Sequence, residues 1–164
     1  MVYDLIVLGG GPAGYLASER AGAAGLSVLC IEEGNPGGVC LNEGCVPTKA
    51  LLYTAKLRDG AAHGDKYGVS CENITIDHAK AVARKDKVVR TLVAGVKAAL
   101  KAENATLVSA RGRITGKTDE GFAVEAAGET YIAKRLLVAT GSSSALPPIP
   151  GLSDALASGF AVTN

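Results

Sequence analysis

The chain has 164 residues, 48% of them apolar, and a formal net charge of +1. That length suits about one domain with a core of its own, and the apolar share excludes a disordered chain. The near-neutral balance gives no argument for nucleic acid or an acidic membrane surface as partner, and neither is expected; no stretch reaches the roughly 20 apolar residues of a membrane helix.

Met1–Gly11 lacks a basic leader, and its apolar run Leu5–Leu8 ends in glycines, so it does not read as a signal peptide. A cytoplasmic location is expected, where a cysteine pair is more often catalytic or metal-bound than a structural bridge. Tyr3–Leu8 reads as a buried strand, Pro12 to about Gly25 as a small-residue helix, and Leu26–Ile31 as a second buried strand. Together they predict a strand–helix–strand unit with parallel strands. Asn35–Gly38 reads as a glycine-rich loop and Pro47 to about Leu57 as a helix. Ala61–Cys71 reads as a polar connection.

Asp77 to about Glu103 has the pattern of a long amphipathic helix, with Val82, Val89, Leu92, Val93, Val96, Ala99 and Leu100 as its apolar stripe. Lys80, Arg84, Lys85, Lys87, Arg90, Lys97 and Lys101 read as its solvated face. Thr106–Ala110 is a third strand. Arg113–Thr115, Phe122–Glu125 and Thr130–Ala133 suggest a small antiparallel meander, Leu136–Thr140 a fourth apolar strand, and Leu146–Gly151 an extended proline-rich crossing.

Two motifs carry chemistry. Gly9-Gly10-Gly11-Pro12-Ala13-Gly14 fits G-x-G-x-x-G between a strand and a helix. In that setting the first glycine turns the chain, the second lets backbone approach a pyrophosphate, and the third packs helix on strand. The helix N-terminus supplies N–H groups and a positive dipole. Glu32 lies about twenty residues on, where an acid meets the ribose hydroxyls of an adenosine. An acid there disfavours a 2′-phosphate but does not separate NAD from FAD.

Cys40 and Cys45 form the second motif, Cys40-Leu41-Asn42-Glu43-Gly44-Cys45. Five helical positions rise about 7.5 Å, beyond the roughly 4.4–6.8 Å between disulfide Cα atoms. If the two are bridged, the backbone between them is irregular, which Gly44 permits. Pro47 allows a helix to begin at about Cys45, and a thiol at a helix N-terminus favours its thiolate. From the residues alone, other readings stay open. Cys30, Cys40, Cys45 and Cys71 with His63 and His78 could ligate zinc, although no C-x-x-C or H-x-x-x-H spacing is present. Cys30 and Cys71 read best as buried free thiols.

The run Gly37-Gly38-Val39-Cys40-Leu41-Asn42-Glu43-Gly44-Cys45-Val46-Pro47-Thr48-Lys49 resembles the redox-disulfide signature of the class I pyridine nucleotide-disulfide oxidoreductases. Gly9–Gly14, Glu32 and Ala139-Thr140-Gly141 extend the likeness across the chain, and Cys40-Leu41-Asn42 is similar to the dihydrolipoamide-oxidising branch. The resemblance implies an α/β fold: a Rossmann-like parallel sheet with flanking helices and a small antiparallel β-meander, forming an incomplete three-layer FAD-binding domain. Residues 1–150 would be that domain, and 151–164 the start of a connection to an NAD-binding domain.

The resemblance implies roles as well. Cys40 would be the interchange thiol and Cys45 the flavin-side thiol, with Lys49 near the reactive flavin edge rather than a mere surface lysine. Gly9, Gly11, Pro12, Ala13 and Gly14 would hold the pyrophosphate, and Glu32, with Glu33 beside it, the ribose. Gly38, Val39 and Cys40 would line FAD, and Gly112, Ala139, Thr140 and Gly141 would approach it from neighbouring strands. A dithiol such as dihydrolipoamide would reduce the pair, with NAD as final acceptor. The family subunit is a longer homodimer whose partner supplies a base, so these residues alone are not expected to complete that cycle. A glutathione- or mercuric-reductase type, or a non-catalytic nucleotide-binding module, are the alternatives.

Overall fold

The computed structural model describes residues 1–163, and its architecture follows from where the apolar runs stop at glycine. Strand β1 (Val2–Leu8) leads through a glycine turn into helix α1 (Pro12–Ala23) and strand β2 (Val28–Glu32). Then come a short helix α2 (Gly38–Asn42), α3 (Cys45–Ala62), a 3-10 turn at Asp65–Tyr67 and the long α4 (His78–Ala102). Strands β3 (Ala105–Ser109), β4 (Arg113–Thr118), β5 (Gly121–Ala126) and β6 (Glu129–Val138) follow, then α5 (Leu152–Ala157). The strands form one mixed sheet in the order β3-β2-β1-β6-β5-β4. Its first four members are parallel neighbours, and β6, β5 and β4 pair antiparallel.

Strand periodicity assigns the two faces. Val7, Val28 and Ala105 point to the helical side, where Leu100 and Val96 of α4 and Tyr15 and Ala21 of α1 pack on them. Ile6, Leu8, Leu29 and Ile31 point the other way and share a core with Val124, Ala126 and Ala133 of the meander. The parallel strands are thus covered on both sides, which is why they are continuous apolar runs rather than alternating ones. The α/β fold with flanking helices and a meander is as the sequence predicts.

Three local readings differ. The segments Thr130–Ala133 and Leu136–Thr140 are a single strand, β6, broken in the sequence pattern by Lys134 and Arg135. Both charged residues are exposed, so they interrupt the apolar run without interrupting the backbone ladder. Ala133 pairs with Tyr3 of β1 on one edge and Phe122 of β5 on the other, making β6 the hinge between the parallel and antiparallel parts. The helix expected to end at about Leu57 runs on to Ala62, and it begins at Cys45, the start that Pro47 allows because its missing N–H costs nothing inside the first turn. The stretch after the Asn35–Gly38 loop is helical through Asn42, a turn that the glycines concealed. The long helix is confirmed to within a residue, and the Asp77 carboxylate caps it by accepting from the Lys80 N–H at 3.0 Å. Leu92 of its expected apolar stripe stays 43% exposed. Among the described residues no helix is long and apolar enough to cross a membrane.

Asp4 of β1 ties β6 to the residue that leads into β2. Its Oδ2 accepts from the Ser27 N–H at 3.0 Å and hydroxyl at 2.9 Å, and its Oδ1 from Lys134 Nζ at 2.8 Å. The hydrogen bond from Lys134, followed by those from Ser27, holds the carboxyl below the usual carboxylate range. A depressed folded-state value stabilises the fold above the unfolded value, about pH 4, and that contribution is lost as pH falls further. Asp4→Asn is therefore expected to lower stability at neutral pH and to flatten the loss between about pH 4 and pH 2, measured by urea unfolding at stepped pH. Parallel stability curves for both proteins across that window would remove this role.

Candidate active site

Four parallel strands end on the same edge of the sheet, and the site-forming turns all leave from that edge. β1 runs into Gly9–Gly14, β2 into Glu32–Gly38, β3 into Arg111–Gly112 and β6 into Ala139–Gly141. Ligands of open α/β sheets bind outside these carboxyl ends, where strand order reverses. Here the reversal lies at β1, between β2 and β6.

The first turn is defined by close packing. A Cβ on Gly14 would overlap the Gly9 carbonyl oxygen, so only glycine lets α1 sit this near β1. Gly9, at φ +98°, lies against the Ala139 carbonyl, and the Ala139 N–H donates to Leu8 O at 2.7 Å. Gly11 differs from both. Its φ of −68° suits any residue, and a Cβ there would meet nothing nearer than Gly38 Cα at 3.8 Å. Protein packing gives no reason for glycine at this position. As N-cap of α1, Gly11 has no capping side chain, so the first-turn N–H groups next to Pro12 and Ala13 face the open edge.

Glu32 ends β2 as expected, and it does something the sequence did not reveal. Its Oε2 accepts from the Gly10 N–H at 2.6 Å and its Oε1 from the Gly34 N–H at 2.7 Å. The carboxylate ties the first glycine turn to the chain leaving β2, and its remaining lone pairs are free for sugar hydroxyls. Glu33 is exposed and faces Arg111, Nε to carboxylate 3.9 Å. A Cβ on Gly112 would lie 2.5 Å from a Leu8 methyl carbon, so a side chain there would have to displace Leu8 of the back core. Thr140 and Gly141 are exposed beyond the end of β6.

The structure joins Cys40 and Cys45 in a disulfide with Cα atoms 4.6 Å apart. The backbone breaks where the geometry requires: Glu43 and Gly44 leave helical conformation between α2 and α3. Val39 O accepts from both the Glu43 and Gly44 N–H groups, at 2.9 and 2.7 Å. Cys40 is half-buried, and Cys45, the first residue of α3, is exposed. Lys49 is exposed one turn further along α3, on the same face as Cys45. The disulfide turn meets the phosphate-type turn directly: Gly38, at φ +59°, would place a Cβ 2.7 Å from Gly11 Cα, and the Gly37 N–H donates to Gly10 O at 2.8 Å. Val39 is exposed beside them.

Of the other cysteines, Cys30 is buried in β2, and burial pushes its thiol up. Cys71 is exposed rather than buried, because the connection carrying it has no element packed over it. Among the described residues no group of three or more His, Cys, Asp or Glu is placed to hold a metal ion. A groove of about 400 Å³ between α3 and α4, bordered by Leu57, Ile76 and Arg84, includes none of the residues of these turns, whereas one of about 780 Å³ is bordered by Arg111 and Gly112 beyond β3.

A disulfide set against a glycine-rich turn at the reversal point of an α/β sheet defines a dithiol–disulfide oxidoreductase architecture. The chain belongs to the pyridine nucleotide-disulphide oxidoreductase family, whose model matches residues 3–163. It is 41% identical over 163 residues to the dihydrolipoyl dehydrogenase of Mycoplasma pneumoniae, covering 99% of this chain and 35% of that one. It is 40% identical over 154 residues to that of Cupriavidus necator, covering 87% and 32%. The chain thus spans about a third of the length of these curated relatives. A solved structure of the HOCl-induced flavoprotein disulfide reductase RclA from Escherichia coli, a Cu(II) complex, superposes with a TM-score of 0.73 at 24% identity, covering 92% of this chain and 30% of that one. At that identity the likeness concerns the fold.

The two central glycines of the turn separate by experiment. Gly14→Ala is expected to cost about 2 kcal/mol or more through overpacking, whereas Gly11→Ala leaves the thermal midpoint of the unliganded protein unchanged or slightly raised. Calorimetry on both variants checks this, and equal destabilisation would show that Gly11 is also a packing glycine.

Proposed function

We propose that these residues form the FAD- and disulfide-bearing portion of a dihydrolipoamide-oxidising flavoprotein, with NAD as the acceptor of the whole enzyme. The observation that carries the reading is the contact of Gly38 with Gly11, which sets the Cys40–Cys45 disulfide against a turn fitted to a pyrophosphate. The residues fit the cofactor: Gly11 leaves room for the pyrophosphate, the uncapped first turn of α1 offers N–H groups, and Glu32 offers acceptors to ribose hydroxyls. FAD, when bound, supplies the two-electron link between a thiol pair and a nicotinamide.

The protein's own part is thiol chemistry. A substrate thiolate attacks Cys40 Sγ, a mixed disulfide forms, and the Cys40–Cys45 bond breaks with Cys45 leaving as thiolate. The substrate's second thiol then attacks the mixed disulfide, releasing Cys40 as a thiol and the substrate as its disulfide. Two electrons have then moved from substrate to the cysteine pair. Cys45 suits the leaving role because it begins α3, where the helix dipole favours a thiolate. Cys40 suits attack because its turn lies at the rim of the cradle. Lys49, one turn from Cys45, adds positive charge on the same face. Gly112 and Ala139–Gly141 would border the cofactor from the β3 and β6 sides. One glycine fingerprint is present in these residues, and reduction of NAD needs a second nucleotide site.

Gly11→Ala is expected to weaken FAD binding at least about tenfold, because a methyl group would occupy the pyrophosphate's place. Titration followed by flavin fluorescence measures it. Unchanged affinity would place the pyrophosphate elsewhere. The purified polypeptide is expected to show no NADH-dependent reduction of lipoamide, and sustained turnover would overturn the division of labour proposed here.

A further inference from the structure

We infer that Asn42 is a positioning residue for the redox pair: its carboxamide clamps the Cys40 turn to the glycine loop of the cradle and sets the potential of the disulfide. This rests on the redox reading of Cys40 and Cys45 above. Asn42 lies between the two cysteines and is half-buried. Its Nδ2 donates to Gly38 O at 3.0 Å and Asn35 O at 3.2 Å, with Pro36 O a third, longer neighbour at 3.5 Å. Three carbonyl oxygens converge on one nitrogen. The amide orientation is dictated by this chemistry, since the opposite orientation would set an oxygen against all three.

The clamped loop is the one that touches the nucleotide turn. Gly37 donates to Gly10 O, and Gly38 packs on Gly11. Asn42 therefore holds the α2 turn, with Cys40 in it, in register with the cradle. While the disulfide is intact, the covalent bond also holds this geometry. Once it is reduced, the clamp and the two bonds to Val39 O are what keep the thiols near one another. The closeness of two thiols in the reduced state determines how readily they close again, because disordering them adds entropy to the dithiol form alone.

Replacing the amide changes the two states unequally. In Asn42→Asp a carboxylate faces three carbonyl oxygens. The bridged form cannot move away from that repulsion, whereas the dithiol form relaxes. The disulfide becomes the less stable partner and the pair more oxidising. The test equilibrates the protein with glutathione buffers, in which one glutathione disulfide oxidises the two thiols and yields two glutathione thiols. Alkylation and mass spectrometry then read the Cys40–Cys45 pair.

Asn42→Asp is expected to lower the equilibrium constant for disulfide formation by about fivefold or more, the scale of one lost hydrogen bond. Asn42→Ala, which removes the donors without adding repulsion, is expected to shift it in the same direction by less, and it serves where the Asp variant does not fold. Variants that titrate as wild type, even with lowered thermal midpoints, would make Asn42 a structural residue only. A wild-type chain that never forms the Cys40–Cys45 disulfide would overturn the redox reading itself, and with it this inference.

Discussion

The hydrogen bond from the Gly37 N–H to Gly10 O, with Gly38 seated on Gly11, is the constraint on which the site depends. It joins two turns that serve different chemistry. One presents uncapped helix N–H groups, and the other carries a disulfide. Neither Gly11 nor Gly38 could bear a side chain and keep both the contact and the open shelf above it. The meeting also fixes the order of the elements: β2 must end beside β1, and the chain must turn back over the start of α1 before α3 can begin.

Glu32 shows how one side chain serves both fold and site. Its two oxygens take N–H groups from the first glycine turn and from the chain just past β2. A buried or half-buried N–H left without a partner is costly, so the carboxylate satisfies the turn that it also adorns. Gly112 likewise packs closely on Leu8 and Ile31 at the same edge. Residues at this rim are constrained by the core beneath them as well as by any ligand above.

The sheet's two halves are held by one strand. β6 gives its first half to the meander and its second half to β1, so the back core of Ile6, Leu8, Leu29 and Ile31 is closed by Val124, Ala126 and Ala133. The helical side is closed separately by α1 and α4. A rigid, doubly covered parallel sheet gives four turns a common edge, and that shared edge makes a cradle from segments as far apart in the chain as Gly9 and Gly141.

The sequence by itself determined the elements whose signals are local. Apolar runs ending in glycine placed β1 and β2, helical periodicity placed α4, and the glycine fingerprint placed the turn between β1 and α1. The spacing of Cys40 and Cys45, with Gly44 and Pro47, demanded an irregular backbone for any bridge and allowed a helix from Cys45. Only the tertiary structure decided the rest. That β6 is one strand depends on partners more than a hundred residues away. The seating of Gly38 on Gly11 depends on the pairing of β1 with β2, which brings their two turns together. These features arise from distant backbone groups meeting in space, and no window of local sequence contains both members of such a pair.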